Sequence, residues 1–124
     1  MPSDGPERRP NQANRARGAY GERRAAEWYV HEGFDILDRN WRSGRLGELD
    51  IVAGRDRLIV FCEVKSRATD AFGDGSEAIT AVKQARLRRL AGAWLAAHER
   101  HSGEIRFDVV SVTGTRVEVY EAAF

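Results

Sequence analysis

Two short segments, Gly47-Glu48-Leu49-Asp50-Ile51-Val52 and Val60-Phe61-Cys62-Glu63-Val64-Lys65, carry ionisable side chains where a β-strand is ordinarily apolar. In the second, Ile59, Phe61, Glu63 and Lys65 share one face, and Leu58, Val60, Cys62 and Val64 the other. A strand apolar on both faces belongs inside a sheet, and charge there costs free energy unless it is paired or binds an ion. Carboxylates beside an ammonium suit metal-assisted cleavage of a phosphodiester. Mg²⁺ (or Mn²⁺) takes one or two protein carboxylates together with phosphate and water. It can activate the attacking water, neutralise the phosphate and assist the leaving oxygen. Asp50 and Glu63 meet that demand once neighbouring strands bring them together. Lys65, on the face of Glu63, is placed to orient the water or to stabilise developing negative charge. Glu48 shares the face of Asp50, as a further ligand or as a partner for Lys65. Glu22 can reach the site from a preceding helix, and Lys83 from a following one, toward phosphate. The structural alternative is a simple Glu63–Lys65 ion pair with Asp50 capping a strand end. A lone E-x-K is weak evidence against that alternative. The full set is a helix Glu, a strand Asp, a turn, an apolar strand ending in E-x-K and a helix Lys, and it favours a metal site.

The elements that must position these groups follow from hydrophobic period and turn residues. Residues 1–17 are polar, rich in Pro, Asn and Arg and without period, which predicts a flexible N-terminal tail ahead of one domain over 18–124. Gly18–His31 reads as a helix with Ala25, Ala26, Tyr29 and Val30 on its apolar side, and Gly33 as its stop. Phe34–Arg42 reads as a first strand. Ser43-Gly44-Arg45 leads to the strand around Asp50, and Gly54-Arg55-Asp56-Arg57 turns the chain into the strand around Glu63. A hairpin centred near Arg55 and Asp56 pairs Asp50 near residue 61, with Glu63 one pleat away. Residues 68–76 read as a loop able to wall the site. A helix over about 80–99 has the apolar stripe Leu87, Leu90, Ala91 and Trp94. Ile105, Phe107 and Val109, then Val117 and Val119, alternate in two closing strands around Thr113-Gly114-Thr115. Tight connections make the first three strands an antiparallel meander, and the long helix is the crossover that returns the fourth strand to the same sheet. The expected fold is α/β, a mixed five-stranded sheet flanked by helices in the order α-β-β-β-α-β-β.

With 124 residues there is room for one core. The near balance of 20 basic and 19 acidic residues decides nothing about partners. Local clusters do more: Arg8, Arg9, Arg15 and Arg17 near the start, and Lys83, Arg86, Arg88 and Arg89 later, offer basic surface of the kind phosphate requires, or simply solvated helix faces. Cys62, the single cysteine, excludes an intrachain disulfide and a cysteine-rich zinc site. It reads as a small buried hydrophobe. No apolar run approaches the roughly 18 residues of a membrane span, and no secretory signal is visible, so a soluble cytoplasmic protein with no membrane partner is expected. His31, His98 and His101 sit near helix ends, where the helix dipole explains them better than metal binding. Trp94 reads as core, Trp41 as core or base-stacking, and Asp108 as structural.

The segments Gly21-Glu22-Arg23, Gly33-Phe34, Asn40-Trp41-Arg42, Gly47 to Val52, Val60 to Arg67, Lys83-Gln84 and Arg106 to Val110 together resemble the PD-(D/E)xK nuclease superfamily. Within it they look like the YraN-like family of uncharacterised proteins, itself similar to archaeal Holliday junction resolvases. The resemblance covers residues 18 to about 112 and implies a restriction-endonuclease-like fold. It implies Asp50 and Glu63 as metal ligands, with Glu48 nearby, Lys65 as the catalytic lysine and Glu22 as the helix-borne acid. Lys83 and Gln84 fall where the superfamily contacts substrate, and Arg67 closes the E-V-K segment as a further nucleic-acid contact. Leu49 stands where the superfamily name has Pro, which removes no ligand. The activity implied is Mg²⁺- or Mn²⁺-dependent endonucleolytic cleavage of structured or branched DNA, by a homodimer in analogy with resolvases. A non-catalytic nucleic-acid-binding module on the same fold is the alternative, because folds outlive their chemistries. An internal salt-bridge cluster with no nucleic-acid role is a third reading.

Overall fold

Ala25, Ala26 and Tyr29 form one buried stripe on the first helix, and Leu87, Leu90, Ala91 and Trp94 another on the second. Each stripe covers one face of a central sheet. The computed structural model describes residues 4–68, 79–100 and 103–124, with side chains from Gln12 onward. Its elements are α1 (Asp4–His31), β1 (Asp35–Arg42), β2 (Glu48–Arg55), β3 (Leu58–Arg67), α2 (Ala81–Ala97), β4 (Glu104–Thr113) and β5 (Arg116–Tyr120). The strands form one sheet in the order β1-β2-β3-β4-β5. β1, β2 and β3 are an antiparallel meander, β4 joins β3 in parallel through α2, and β5 returns antiparallel. This is the α/β arrangement expected from the sequence. Among the described residues no helix is long and apolar enough to cross a membrane.

Both helices end where their residues dictate. Gly33, at φ +90°, takes the left-handed position after α1, and the Phe34 N–H reaches back to the Tyr29 carbonyl at 2.9 Å. Thr80 caps α2 by accepting from the Lys83 N–H at 3.2 Å. The start of α1 differs from expectation. Residues 4–17, read from composition as a tail, have helical backbone continuous with α1. Residues 12–16 are exposed, so this part of the helix buries no stripe and shows no period. Its helicity rests on local propensity in Gln12, Ala13, Arg15, Ala16 and Arg17. The expected loop at 68–76 falls almost entirely on residues outside those described, as does His101.

On the α1 face, Tyr29, Phe34, Ile51, Val60, Cys62 and Val110 pack together. On the α2 face, Phe61 lies edge-on to Trp94 at 5.9 Å and stacked on Phe107 at 5.8 Å. β3 is therefore internal and apolar on both sides. Cys62 is buried, and that burial pushes its thiol pKa up, leaving it an inert hydrophobe.

The β2–β3 hairpin turns at Asp56-Arg57, with Asp56 at φ +55° and Arg55 opposite Leu58. The turn lies one residue later than expected, which moves pairing partners by two. Asp50 accordingly comes level with Glu63 rather than residue 61. The ladder ends just before that level, at Ile51↔Cys62. Beyond it β2 stays with β1 as far as Arg42↔Glu48, and β3 stays with β4 as far as Arg67↔Thr113. The two central strands part, and the sheet forks.

Asp108 is fully buried on β4 and fully occupied. It accepts from the Tyr29 hydroxyl at 2.6 Å, from Arg106 Nε and Nη2 at 2.8 and 2.9 Å, and from the Ala122 N–H at 3.0 Å. Burial above all keeps the Tyr29 phenol protonated and donating. This cluster ties α1 and the C-terminal segment to β4, in keeping with a structural Asp108. Asp108→Ala is expected to lower unfolding free energy by about 3 kcal/mol, because it strands a half-buried guanidinium and a buried phenol. Tyr29→Phe should lower it by about 1 kcal/mol. Urea denaturation of both variants checks the order; equal and small losses would contradict it.

Candidate metal site

Four carboxylates gather where the sheet forks. Glu48 and Asp50 begin β2, Glu63 lies on β3 just past the end of the ladder, and Glu22 comes from α1. Glycine makes the helix approach close enough. A Cβ on Gly21 would run into the Ser66 hydroxyl and come within 3.6 Å of the Val64 methyl, so only a residue with no side chain lets α1 lie against β3 here. The next residue, Glu22, is thereby brought to β2. Glu22, Glu48 and Asp50 each offer a carboxylate oxygen, and these oxygens lie within 4.8 Å of one another. Octahedral Mg²⁺ places its oxygen ligands about 3 Å apart when adjacent and about 4.2 Å apart when opposite. Small side-chain adjustments would close the set on such an ion, and its all-oxygen chemistry fits one.

Asp50 bridges the fork itself. Its Oδ2 accepts the Val64 N–H at 2.8 Å, capturing a backbone donor on the strand that β2 has left. Burial, then the charge of Glu63, push the Asp50 carboxyl up to about 8; the Val64 N–H opposes this, while Glu22 and Glu48 add to it. The site thus concentrates acidic groups around Asp50.

Glu63 stands apart from the convergent three. Its Oε2 is 2.6 Å from Lys83 Nζ, in an ion pair whose acid is 11 % exposed and whose lysine is 44 % exposed. Lys83, expected toward phosphate, points instead at the carboxylate expected to bind metal. The Gln84 amide donates to the Ile79 carbonyl at 2.8 Å, at the start of its own helix. Lys65 and Arg67 are half-buried on β3, level with Ser111 and Thr113 of β4.

Several participants could not be picked out from the sequence. Asn40 Nδ2 donates to Glu22 Oε1 at 2.9 Å, and Arg42 Nε lies 3.6 Å from Glu48 Oε2. Both are on β1, and only the fold puts them there, although Asn40-Trp41-Arg42 had stood out as a motif. Asp38 is the acid partner of His98: its Oδ2 accepts the Trp94 indole N–H at 2.9 Å and lies 3.5 Å from His98 Nε2. That arrangement fixes the C-terminal end of α2 and is remote in sequence.

The sequence pattern of the uncharacterised protein family UPF0102 matches residues 21–112, a span that opens at Gly21-Glu22 and includes every acid of the fork. The chain belongs to UPF0102. A UPF0102 protein of Beutenbergia cavernae is 53 % identical over 104 residues, covering 84 % of this chain and 87 % of its own length. One of Mycolicibacterium vanbaalenii is 48 % identical over 104 residues, covering 84 % and 85 %. One of Frankia casuarinae is 47 % identical over 117 residues, covering 90 % and 98 %.

The raised Asp50 has a direct consequence for this UPF0102 chain. Between the ordinary value of 3.8 and about 8, the folded protein holds a proton that the unfolded chain releases. The contribution of Asp50 to metal-free stability should therefore be fullest below that interval and fall as pH rises through it. Asp50→Asn removes the titrating group. It should flatten the profile and leave the metal-free variant more stable than wild type at the upper end, by about 1–3 kcal/mol. Urea midpoints of both proteins measured with chelator across the interval test this; an advantage of Asp50→Asn that does not grow with pH would contradict it.

Proposed function

We propose that this UPF0102 protein is a metal-dependent endonuclease that hydrolyses phosphodiester bonds in structured or branched DNA. The observation that carries the reading is the convergence of Glu22, Glu48 and Asp50 at a fork whose other side presents Glu63 and Lys65. These donors are hard oxygens in a partly buried, charge-rich setting, as Mg²⁺ or Mn²⁺ requires. When bound, such an ion supplies an activated water and charge neutralisation at the phosphate. Glu22, Glu48 and Asp50 would hold it, with Glu63 joining once Lys83 lets go. Lys65, two residues past Glu63 on an internal strand, orients the attacking water or stabilises the pentavalent phosphorus centre. Lys83, with Arg67 and Gln84, contacts the flanking backbone, and positive charge there positions DNA without reading its sequence. Resemblance to Holliday junction resolvases is what favours branched substrates and a two-fold homodimer.

One observation favours a second reading. Lys83 already neutralises Glu63, and Gln84 is turned to its own backbone, as suits a module that binds nucleic acid without cutting it. Labelled duplex, single-stranded, flap and four-way-junction DNA, each incubated with Mg²⁺ or Mn²⁺, separates the two. The nuclease reading expects cutting of a branched substrate, reduced ~10²-fold or more by Asp50→Asn and by Glu63→Gln while both stay folded. Tight, salt-sensitive binding without cutting supports the module instead. Neither cutting nor binding overturns both readings.

Lys83→Ala separates phosphate contact from ion pairing alone. It should weaken DNA binding across all sequences and reduce the slope of log affinity against log salt by about one. An unchanged slope would confine Lys83 to pairing with Glu63.

A further inference from the structure

Asn40 sits within β1 at φ +50°, the left-handed region, inside an otherwise extended strand. Non-glycine residues seldom adopt it, and the conformation costs about 1–2 kcal/mol. Asn tolerates it better than most, but an exposed strand position does not otherwise call for it. The neighbouring pairs are Arg39↔Ile51 and Trp41↔Leu49, so Asn40 lies level with Asp50 on the adjacent strand. From there its side chain reaches α1, where Nδ2 donates to Glu22 Oε1 at 2.9 Å.

We infer that Asn40 is a positioning residue that holds the Glu22 carboxylate against Glu48 and Asp50 and so pre-forms the cation site. The inference rests on the metal-site reading above. An amide suits this role because it is neutral: it orients a carboxylate without cancelling its charge. A lysine or arginine in the same place would compete with the incoming cation. Backbone held in a sparsely populated region beside a group of ligands is where strain serves function. Partners that orient a ligand typically change metal affinity by about 10–100-fold.

Asn40→Gly isolates the side chain, because glycine adopts positive φ freely. The backbone is kept or relieved, and only the amide is lost. Thermal stability should hold or rise, while Mn²⁺ affinity, read by titration calorimetry and by the Mn²⁺ electron paramagnetic resonance signal, should fall about tenfold. In a Glu22→Gln background the same change should have no further effect on affinity, since the carboxylate it orients is gone. Wild-type affinity in Asn40→Gly, or losses that simply add in the double variant, would overturn the inference while leaving the metal site standing, provided Asp50→Asn abolishes binding. If wild type itself takes up no Mn²⁺, the metal reading fails and this inference with it.

Discussion

The parting of β2 from β3 is the constraint around which the molecule is organised. A sheet must satisfy its interior backbone donors, and a split strand pair exposes them. Here the Val64 N–H, on the strand that β2 leaves, is taken by the Asp50 side chain at 2.8 Å. The repair requires an acidic residue at the point of divergence. Once it is there, its charge and its remaining acceptor capacity lie in an opening between strands. β1 keeps hold of β2 and β4 keeps hold of β3, so the opening is rigidly framed on both sides. α1 can enter because Gly21 offers nothing to collide with Ser66. The irregularity in the sheet and the gathering of acids are one feature.

Two aspartates on this sheet show what partners do to a carboxylate. Asp108 is wholly buried, yet a guanidinium, a phenol and a backbone N–H surround it, and it joins α1, β4 and the C-terminal segment. Asp50 accepts a backbone N–H and lies among the acids Glu63, Glu22 and Glu48, which together with burial push its carboxyl up to about 8. A side chain whose surroundings are complete stabilises the fold. One whose surroundings oppose its charge marks a place where the fold carries a penalty, and such places are enriched at functional sites.

Much of this was legible in the chain. Alternation on both faces of residues 58–65 required an internal strand, and Gly33 marked where the first helix stops, because these effects are local. The register of the hairpin was not fixed in advance. Asp56 and Arg55 are both acceptable turn residues, and one step in the turn moves Asp50 from the level of residue 61 to that of Glu63. Nor could local pattern reveal the extension of α1 through the exposed residues 12–16, or the bonds from Asn40 to Glu22, Lys83 to Glu63 and Trp94 to Asp38. These join residues far apart in the chain, and each depends on which strand edge lies beside which helix end.

The way each acid is bonded bears on what the fork is for. Glu63 is met by a lysine at 2.6 Å, so its charge is largely answered within the chain. Asp50 and Glu22 each accept from a neutral donor, a backbone N–H and an amide, which fixes the direction of the group. Glu48 has Arg42 at 3.6 Å, but that arginine is 71 % exposed, and solvent screens such a pair to little effect. Here three acids converge with carboxylate oxygens within 4.8 Å of one another, two of them directed by neutral donors, a donor set that could hold a cation.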